Sequence, residues 1–341
     1  MPQMIPKKLE PVESLWQKEL AAAFTDPERL LDYLQIDSLE LGADFAARKL
    51  FPMRVPRPFV EKMEKGNIHD PLLMQVLPLR QEFVQAPGFV ADPLLEQDSG
   101  IKGMLHKYQS RVLLLVRGGC AVNCRYCFRR HFPYEDNHLN RDGWKAVLEQ
   151  IAADENINEV IYSGGDPLMA KDNFLEWLTN EITQIPHIRH IRIHTRLPVV
   201  IPQRVTLEML DWFTQTRLKP VMVLHINHAN EVDEHLIGAI KMLKEQGVTL
   251  FNQSVLLKGI NDSADAQVAL NQTVYEAGVL PYYLHMLDKV AGASHFAVDD
   301  ESARKIQAEV IKRLPGFLVP KLVREIGGQP GKTPLDLHLH P

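Results

Sequence analysis

From Arg111 onward, short apolar runs alternate with stretches in which apolar residues recur at helical spacing. The apolar runs predict strands at residues 112–116, 159–162, 190–194, 221–226, 249–255 and 280–286. The stretches between them predict helices at residues 141–154, 172–183, 206–216, 232–246 and 264–277. After the second strand, strand starts recur about every 30 residues, the length of one βα unit. We therefore expect an α/β fold with a parallel sheet.

Two architectures accommodate six parallel strands with intervening helices: an incomplete barrel and an open doubly wound sheet. In both, ligands bind at the carboxyl ends of the strands. Residues that carry chemistry are thus expected just after the strands.

The two ends of the chain do not show this alternation of strands and helices. Two helices are predicted at residues 14–24 and 27–34, and recurrent prolines between Phe51 and Leu95 disfavour long regular elements. Near the other end, a helix is predicted at residues 300–313 and an extended run at 317–323, followed by a glycine-rich tail. We interpret residues 1–100 as a helical cap, 101–290 as the main α/β domain and 291–341 as a C-terminal segment.

Composition narrows the class of protein. The 341 residues include 38 Lys and Arg against 43 Asp and Glu, a formal net charge of −5, and 45% are hydrophobic. This acidic balance disfavours non-specific nucleic-acid binding, and no apolar run approaches the roughly 18 residues of a membrane span. Residues 1–10 lack the apolar stretch of a secretory signal. We expect a cytoplasmic protein that binds neither nucleic acid nor membrane.

All three cysteines, Cys120, Cys124 and Cys127, lie within eight residues, directly after the first predicted strand. Such a cluster is a poor disulfide framework, whereas thiolates suit zinc or iron–sulfur clusters. A closed zinc site needs a fourth ligand, and the nearest other candidate, His131, would have to fold back tightly. A [4Fe–4S] cluster held by three thiolates keeps one iron open for a small-molecule ligand.

The spacing Cys-x3-Cys-x2-Cys resembles that of the radical S-adenosylmethionine (SAM) enzymes. The resemblance implies a partial (βα)6 barrel, a [4Fe–4S] cluster on the cysteines, and SAM at the open iron as the source of a radical. One βα unit later, the segment Ser163-Gly164-Gly165-Asp166 matches the turn that binds the SAM amino group in that family. By itself it is also an ordinary turn sequence.

The glycine-rich tail contains Gly331-Lys332-Thr333. We expect no P-loop there, because Ile326 stands where its first glycine is required and little chain follows for a phosphate-binding helix. Lys332 is then either an exposed surface lysine or a Schiff-base lysine, which needs a mobile loop to release an aldehyde cofactor.

Four segments together resemble the lysine 2,3-aminomutases, radical SAM enzymes that also use pyridoxal 5′-phosphate (PLP). They lie within residues 90–337 and are Arg111-Val-Leu-Leu-Leu, the cysteine loop through Arg130, the Ser163 turn, and Gly-Gly-x-x-Gly-Lys332-Thr-Pro. The matching positions imply that Lys332 binds PLP covalently. They also imply that Lys107, Tyr108 and Arg111 hold its phosphate, for which cations are suited.

The same resemblance implies how a lysine substrate is held. Arg129 matches the arginine whose planar fork binds the substrate carboxylate, and Asp288 matches a carboxylate that pairs with the ε-ammonium. Glu325 stands where catabolic members have a second aspartate, which is one methylene shorter. Two simpler interpretations stay open: Asp288 as a helix cap, and Glu325 paired with Arg324 at the surface.

Catabolic members carry a C-terminal extension with zinc-binding cysteines, and we expect no such extension here because the sequence has no further cysteine. The sequence is more similar to the compact members that convert L-α-lysine to (R)-β-lysine for modification of translation elongation factor P. This similarity implies a flavodoxin-like or similar electron donor and a β-lysine-using ligase pathway as partners. A homo-oligomer is compatible with the sequence.

Three other functions stay open at this point. A glutamate 2,3-aminomutase would share the cofactor motifs, although Asp288 and Glu325 disfavour a second substrate carboxylate. A radical SAM enzyme without PLP fits if Lys332 is only a surface lysine. An iron–sulfur electron-transfer protein fits if a fourth protein ligand completes the cluster.

Overall fold

The computed structural model describes residues 14–38, 51–97 and 100–339. Residues 1–10, which were examined for a secretory signal, lie outside these ranges, as do parts of the proposed helical cap. Within the ranges described, no helix is both long and apolar enough to cross a lipid bilayer.

A nine-stranded sheet forms the centre of the protein, with its strands in chain order. The strands are β1 (Met104–Tyr108), β2 (Arg111–Arg117), β3 (Glu159–Gly164), β4 (His190–Thr195), β5 (Lys219–His225), β6 (Thr249–Val255), β7 (Leu280–His285), β8 (Lys321–Arg324) and β9 (Thr333–Pro334). β2 to β8 are parallel, and β1 and β9 pair antiparallel at the two edges. A doubly wound sheet would reverse its strand order at a switch point, and this sheet does not. The predicted α/β fold is confirmed as the incomplete barrel.

Helices connect the successive parallel strands. They are α4 (Arg141–Ala153), α5 (Asp172–Thr183), α6 (Leu197–Val200), α7 (Leu207–Thr214), α8 (Glu234–Glu245), α9 (Ala264–Glu276) and α10 (Asp300–Arg313), preceded by α1 (Leu15–Ala21), α2 (Pro27–Leu34) and α3 (Arg57–Val60). Five of them begin where a polar side chain accepts a hydrogen bond from the backbone N–H three residues on, which satisfies a free donor of the first turn. These capping residues are Asn140, Thr206, Asp233, Ser263 and Asp299.

The alternation along β4 shows where the core and the interior of the barrel lie. Ile191 and Ile193 are fully buried in the main core together with Leu175 of α5. Arg192 and His194, on the opposite face, line an internal cavity. One face of the sheet therefore stabilises the fold, and the other carries polar side chains.

The sequence prediction was incomplete at both edges of the sheet. β1 was not predicted, because the strand has only five residues and is only partly buried. The extended run predicted at residues 317–323 was wrong in its first half: Gly316–Leu318 form one 3₁₀ turn, and β8 begins after Pro320, which cannot donate to a strand ladder.

The segment from residue 51 to 97 contains α3 and two 3₁₀ turns, Leu73–Gln75 and Arg80–Phe83, but no long element, as its prolines predicted. The sheet starts at Met104 and continues through β8 and β9 beyond residue 290. The division into three parts stays a prediction.

Candidate active site

A cavity lies at the carboxyl ends of the parallel strands, and every residue proposed from the sequence lines it. These residues are Lys107, Tyr108, Arg111, Cys120, Cys124, Cys127, Arg129, Ser163, Gly164, Gly165, Asp166, Asp288, Glu325 and Lys332. They come from β1, from the start of β2, from the end of β3, from the loops after β2, β3, β7 and β8, and from the residue before β9. The structure thus brings together residues that are far apart in the sequence.

The three cysteines are free thiols on the loop after β2. Residues 51–97, called the N-terminal segment below, hold this loop. Arg54 Nη1 donates to the carbonyl oxygen of Cys120 at 3.1 Å, and the Arg125 N–H donates to the carbonyl oxygen of Gln75 at 2.9 Å. A buried ion pair between Arg125 and Glu82 adds another anchor. The positions of the thiols therefore depend on the N-terminal segment as well as on their own loop.

The donor set fits an iron–sulfur cluster. Burial and the neighbouring Cys124 raise the pKa of Cys127 to about 11, and burial also raises the pKa of Cys120. These two thiols are therefore protonated until a metal displaces their protons. In the part of the chain described, no group of three Cys, His, Asp or Glu side chains could hold a single metal ion. A [4Fe–4S] cluster instead attaches each thiolate to a different iron.

Among the described residues, no fourth side chain joins the cysteines to complete a closed zinc site. His131 is exposed, and its Nε2 lies 3.3 Å from the carbonyl oxygen of Ala291. The sequence has no fourth cysteine. An assignment as a closed zinc site is therefore not supported.

Sequence reasoning gave no role to a cation that contacts the cysteines. Arg196, which follows β4, donates from Nη1 to Cys124 Sγ at 2.8 Å. Its Nη2 donates to Gln75 at 2.8 Å and to Glu231 at 2.9 Å. This contact places a buried positive charge beside the sulfur of a proposed iron ligand. Because these partners come from distant parts of the chain, no local motif could have revealed the contact.

Two glycines, one at the end of β3 and one just after it, are required by a close approach of two backbone segments. Gly164 has a φ of +126°, and a Cβ there would lie 2.3 Å from the carbonyl oxygen of Arg117. A Cβ at Gly165 would lie 2.5 Å from the carbonyl oxygen of Gly118. The glycines thus allow the end of β3 to pack against the residues that lead into Cys120.

The carboxylate of Asp166 is occupied by the protein itself. It accepts hydrogen bonds from Thr195 Oγ1 at 2.8 Å, the Arg196 N–H at 2.8 Å and the Leu197 N–H at 2.9 Å. Burial raises the pKa of Asp166 to about 6, although these donors oppose the shift. Asp166 therefore joins the ends of β3 and β4, and its direct contact with a cofactor stays a prediction.

Lys332 reaches into the cavity and pairs with Glu325, with 2.6 Å between Nζ and Oε2. Only 18% of the Lys332 side chain is exposed, so the interpretation as a surface lysine is wrong. Burial alone would raise the pKa of Glu325, but Lys332 and Lys107 more than offset it, and the pKa lies below its ordinary value. Arg324 pairs instead with Asp300, so the proposed surface pairing of Glu325 is also wrong.

The phosphate-binding residues proposed from the sequence lie on the β1–β2 hairpin, and two of them, Lys107 and Tyr108, face Glu325. Tyr108 donates to Glu325 Oε1 at 3.4 Å, and Lys107 Nζ lies 3.8 Å from that oxygen. The Arg111 guanidinium stacks 3.7 Å from the centre of the Tyr108 ring. The two edges of the incomplete barrel therefore meet across the cavity, where cations surround one carboxylate.

Arg129 is buried and bound by a residue that sequence reasoning missed. Its Nε and Nη2 donate to the two oxygens of Glu96 at 2.6 and 3.2 Å, and its Nη1 donates to Ser163 Oγ at 3.1 Å. Burial would raise the pKa of Glu96, but Arg129 and Lys107 more than offset it and lower that pKa. A lone glutamate in a proline-rich segment has no spacing pattern that could have identified it.

Asp288 lies in the loop after β7, and the next helical residues begin only at Ser294, so the interpretation as a helix cap is wrong. Burial raises the pKa of Asp288 to about 7, and the neighbouring Glu325 adds to the rise. Two carboxyl groups that repel each other favour a cation between them.

Three histidines at strand ends also line the cavity: His194, His225 and His285. Burial lowers the pKa of His225 to about 3 and lowers the pKa values of the other two well below the ordinary range. The Nε2 atoms of His194 and His285 are buried without a hydrogen-bond partner. The neutral rings therefore offer polar atoms that a bound cofactor could satisfy.

The arrangement combines three chemical capabilities in one cavity. The thiol group can hold an iron–sulfur cluster, and Lys332 can bind a carbonyl cofactor beside cations suited to its phosphate. Arg129 and the Asp288–Glu325 pair can recognise a molecule that has a carboxylate and an ammonium group. Cluster, cofactor and substrate could thus be held within reach of one another.

Comparisons with known proteins agree with this geometry. Residues 114–269 match the radical SAM superfamily. The chain is 56% identical to the L-lysine 2,3-aminomutase of Escherichia coli (strain K12) over 325 residues, covering 95% of each chain. It is 52% identical to the Haemophilus influenzae protein of the same name, covering 95% of this chain and 97% of that one. Identity to the Buchnera aphidicola protein of that name is 44%, over 95% and 96% of the two chains.

Proposed function

The chain belongs to the L-lysine 2,3-aminomutase family of radical SAM enzymes, which are isomerases, and from this premise we propose that it moves the amino group of L-lysine from C2 to C3 with PLP bound at Lys332. Family membership implies a [4Fe–4S] cluster, SAM and PLP as cofactors. When bound, the cluster and SAM supply a radical that removes hydrogen from C3, and PLP supplies the π-bond through which nitrogen migrates.

In this proposal, Cys120, Cys124 and Cys127 hold the cluster through three irons and leave the fourth iron for SAM. The Ser163–Gly165 turn packs against the residues that lead into Cys120, and its backbone groups would be available to bind SAM. Arg196 keeps a positive charge at Cys124. Arg196 and Ser163 are buried and the three cysteines are half-buried, which would limit the access of water to a radical reaction.

Lys332 is the proposed attachment point for PLP. The residues proposed to bind the PLP phosphate are Lys107, Tyr108 and Arg111. The support is that the lysine amine and all three residues line one cavity, next to Glu325. Arg111 makes no ion pair within the part of the chain described, so its charge is available to a phosphate. The orphaned Nε2 atoms of His194 and His285 could bond to polar groups of the cofactors.

We propose that Arg129 binds the substrate carboxylate. The ε-ammonium would be bound by Asp288 and Glu325. This polarity favours lysine over glutamate, because the side-chain carboxylate of glutamate would meet two carboxyl groups of the protein. Holding both ends of the substrate fixes C2 and C3 relative to the cofactors, and such positioning accounts for much of the rate in reactions of this kind.

The proposed product is β-lysine in the R form, for modification of elongation factor P in the cytoplasm, as in the compact EpmB subgroup. The support is similarity over nearly full length to relatives of similar length. The proposal includes a flavodoxin-like or similar electron donor and a β-lysine-using ligase pathway.

The observation that carries the proposal is that Lys332 lies in the same cavity as the three cysteines. Its test is to treat PLP-loaded protein with borohydride, digest it and locate the pyridoxyl group by mass spectrometry. We expect the label on Lys332, none in Lys332→Ala, and none on the exposed Lys305. Labelling elsewhere, or no label, would favour a radical SAM enzyme that does not use PLP.

A further inference from the structure

Glu96 lies between two cations that the proposed function assigns to two different ligands. Its Oε2 accepts from Arg129 Nε at 2.6 Å, and its Oε1 accepts from Lys107 Nζ at 2.7 Å. Glu96 is only 4% exposed. One buried carboxylate therefore links Arg129, which is proposed to bind the substrate carboxylate, to Lys107, which is proposed to bind the PLP phosphate.

Glu96 also decides which edge of Arg129 is available. A guanidinium has five N–H donors, and Glu96 takes one from Nε and one from Nη2. Nη1 donates to Ser163 Oγ at 3.1 Å and to the carbonyl oxygen of Gly164 at 3.3 Å. These contacts use four of the five N–H groups and leave one on Nη2, so a substrate carboxylate would meet the guanidinium at its Nη1–Nη2 edge rather than at the occupied Nε edge.

The backbone holds Glu96 in this position. Asp92 accepts from the N–H groups of Glu96 and Gln97, both at 3.0 Å. The preceding Leu95 has a φ of +55°, in the left-handed region that disfavours a leucine, and its side chain is 68% exposed. Such strain persists only where surrounding contacts determine the conformation. Here it accompanies a turn that directs Glu96 inward.

Resting on the proposed function, we propose that Glu96 is a positioning residue: it keeps Arg129 and Lys107 apart and oriented, so that the substrate carboxylate and the PLP phosphate bind at two separate subsites. Glu96 touches neither reacting atom. It acts through the two cations, each of which faces a different ligand.

The charges around Glu96 indicate what its loss would do. Without the intervening anion, Arg129 and Lys107 would be two neighbouring cations in a poorly solvated site, and they would repel each other. Lys107 Nζ already lies 3.8 Å from Glu325 and would move toward it. It would then compete with Lys332 for Glu325 and leave the phosphate subsite.

The test compares Glu96→Gln and Glu96→Asp with wild type. In Glu96→Gln, we expect the KM for L-lysine to rise by about tenfold, the order of effect when a charged group loses a hydrogen-bond partner, while kcat falls by less than about threefold. In cluster-free protein, where turnover plays no part, we expect the Kd of PLP to rise by about fivefold or more. Glu96→Asp keeps the charge with a shorter reach, so both constants should lie between those of wild type and Glu96→Gln.

Asp172→Asn is the matched control, because it removes the carboxylate of another buried pair, with Arg204, that does not line the cavity. We expect it to lower stability while leaving lysine KM and PLP affinity unchanged. Wild-type lysine KM and PLP affinity in Glu96→Gln, or equal changes in Asp172→Asn, would overturn the proposal. If Glu96→Gln does not fold, wild-type constants in Glu96→Asp would overturn it. A wild-type protein that forms no β-lysine would count against the proposed function, whereas PLP binding tests Glu96 independently.

Discussion

Lys332 and Glu325 form an ion pair, with 2.6 Å between Nζ and Oε2, seven residues apart on the segment that joins β8 to β9. The residue assigned to PLP is thus held by a carboxylate assigned to the substrate. One Glu325 oxygen cannot serve both ammonium groups at full strength, so the ε-ammonium of the substrate would compete with Lys332 for this carboxylate.

Glu325→Gln should weaken substrate binding more than it slows chemistry. We expect the KM for L-lysine to rise by about tenfold or more, because a hydrogen bond to a charged group contributes about 1.5–3 kcal/mol. Steady-state kinetics of reconstituted enzyme measure this. Glu301→Gln, which removes an exposed pair with Lys305, is the control and should leave KM unchanged. An unchanged KM in Glu325→Gln would remove this residue from the substrate site.

Asp288 should make lysine binding depend on pH. Burial and Glu325 raise its pKa to about 7 in the free protein, so below that pH the group is largely neutral. The substrate ammonium, with an ordinary pKa of about 10.4, pairs with the ionised form. We therefore expect kcat/KM for L-lysine to rise with pH through about 7 and then level off. In Asp288→Asn, kcat/KM should no longer rise with pH in this range. If the variant has the same pH profile as wild type, the rise belongs to another titrating group.

Glu82 should determine how well the cysteine loop holds iron. It pairs with the buried Arg125 between two of the cysteines and accepts from the Leu79 N–H at 2.8 Å. Glu82→Gln should lower the free energy of unfolding by about 3 kcal/mol, the cost of leaving a buried charge unpaired. Urea unfolding measures the loss of stability, and iron content after reconstitution measures how well the cysteine loop holds iron. Glu61→Gln, in the exposed pair with Arg57, should change neither.

Gly165→Ala should disturb the packing between the ends of β2 and β3. The new Cβ would lie 2.5 Å from the carbonyl oxygen of Gly118, and we expect a loss of about 1–3 kcal/mol in the free energy of unfolding. We also expect weaker SAM binding, measured by equilibrium dialysis. Gly238→Ala is the control: it lies in α8 with open space around it and should stabilise by about 0.5–1 kcal/mol. Equal stability changes in the two variants would contradict this packing argument.

The sequence predicted the parallel part of the fold well, because apolar runs and helical spacing are local signals. All six predicted strands, from β2 to β7, occur close to their predicted positions. β1 and β9 were missed because each is short and depends on a neighbouring strand for its hydrogen bonds. The site residues proposed from the family resemblance all line one cavity; their roles stay predictions.

The contacts made by the N-terminal segment could not be predicted from the sequence. Glu96 binds Arg129 33 positions away, and Gln75 binds Arg196 121 positions away. Contacts between distant side chains leave no periodicity, and the recurrent prolines there removed what helical pattern the segment could have had. The segment interpreted as a simple cap thus positions both the cysteine loop and Arg129.

The most direct test of the central claim is anaerobic reconstitution with iron, sulfide, PLP, SAM and dithionite, followed by chiral analysis of the products from L-lysine. The account predicts β-lysine in the R form from wild type, and none from Cys124→Ala or Lys332→Ala. Cleavage of SAM without any β-lysine, by protein that carries both the full cluster and PLP, would contradict the claim that this cavity isomerises lysine.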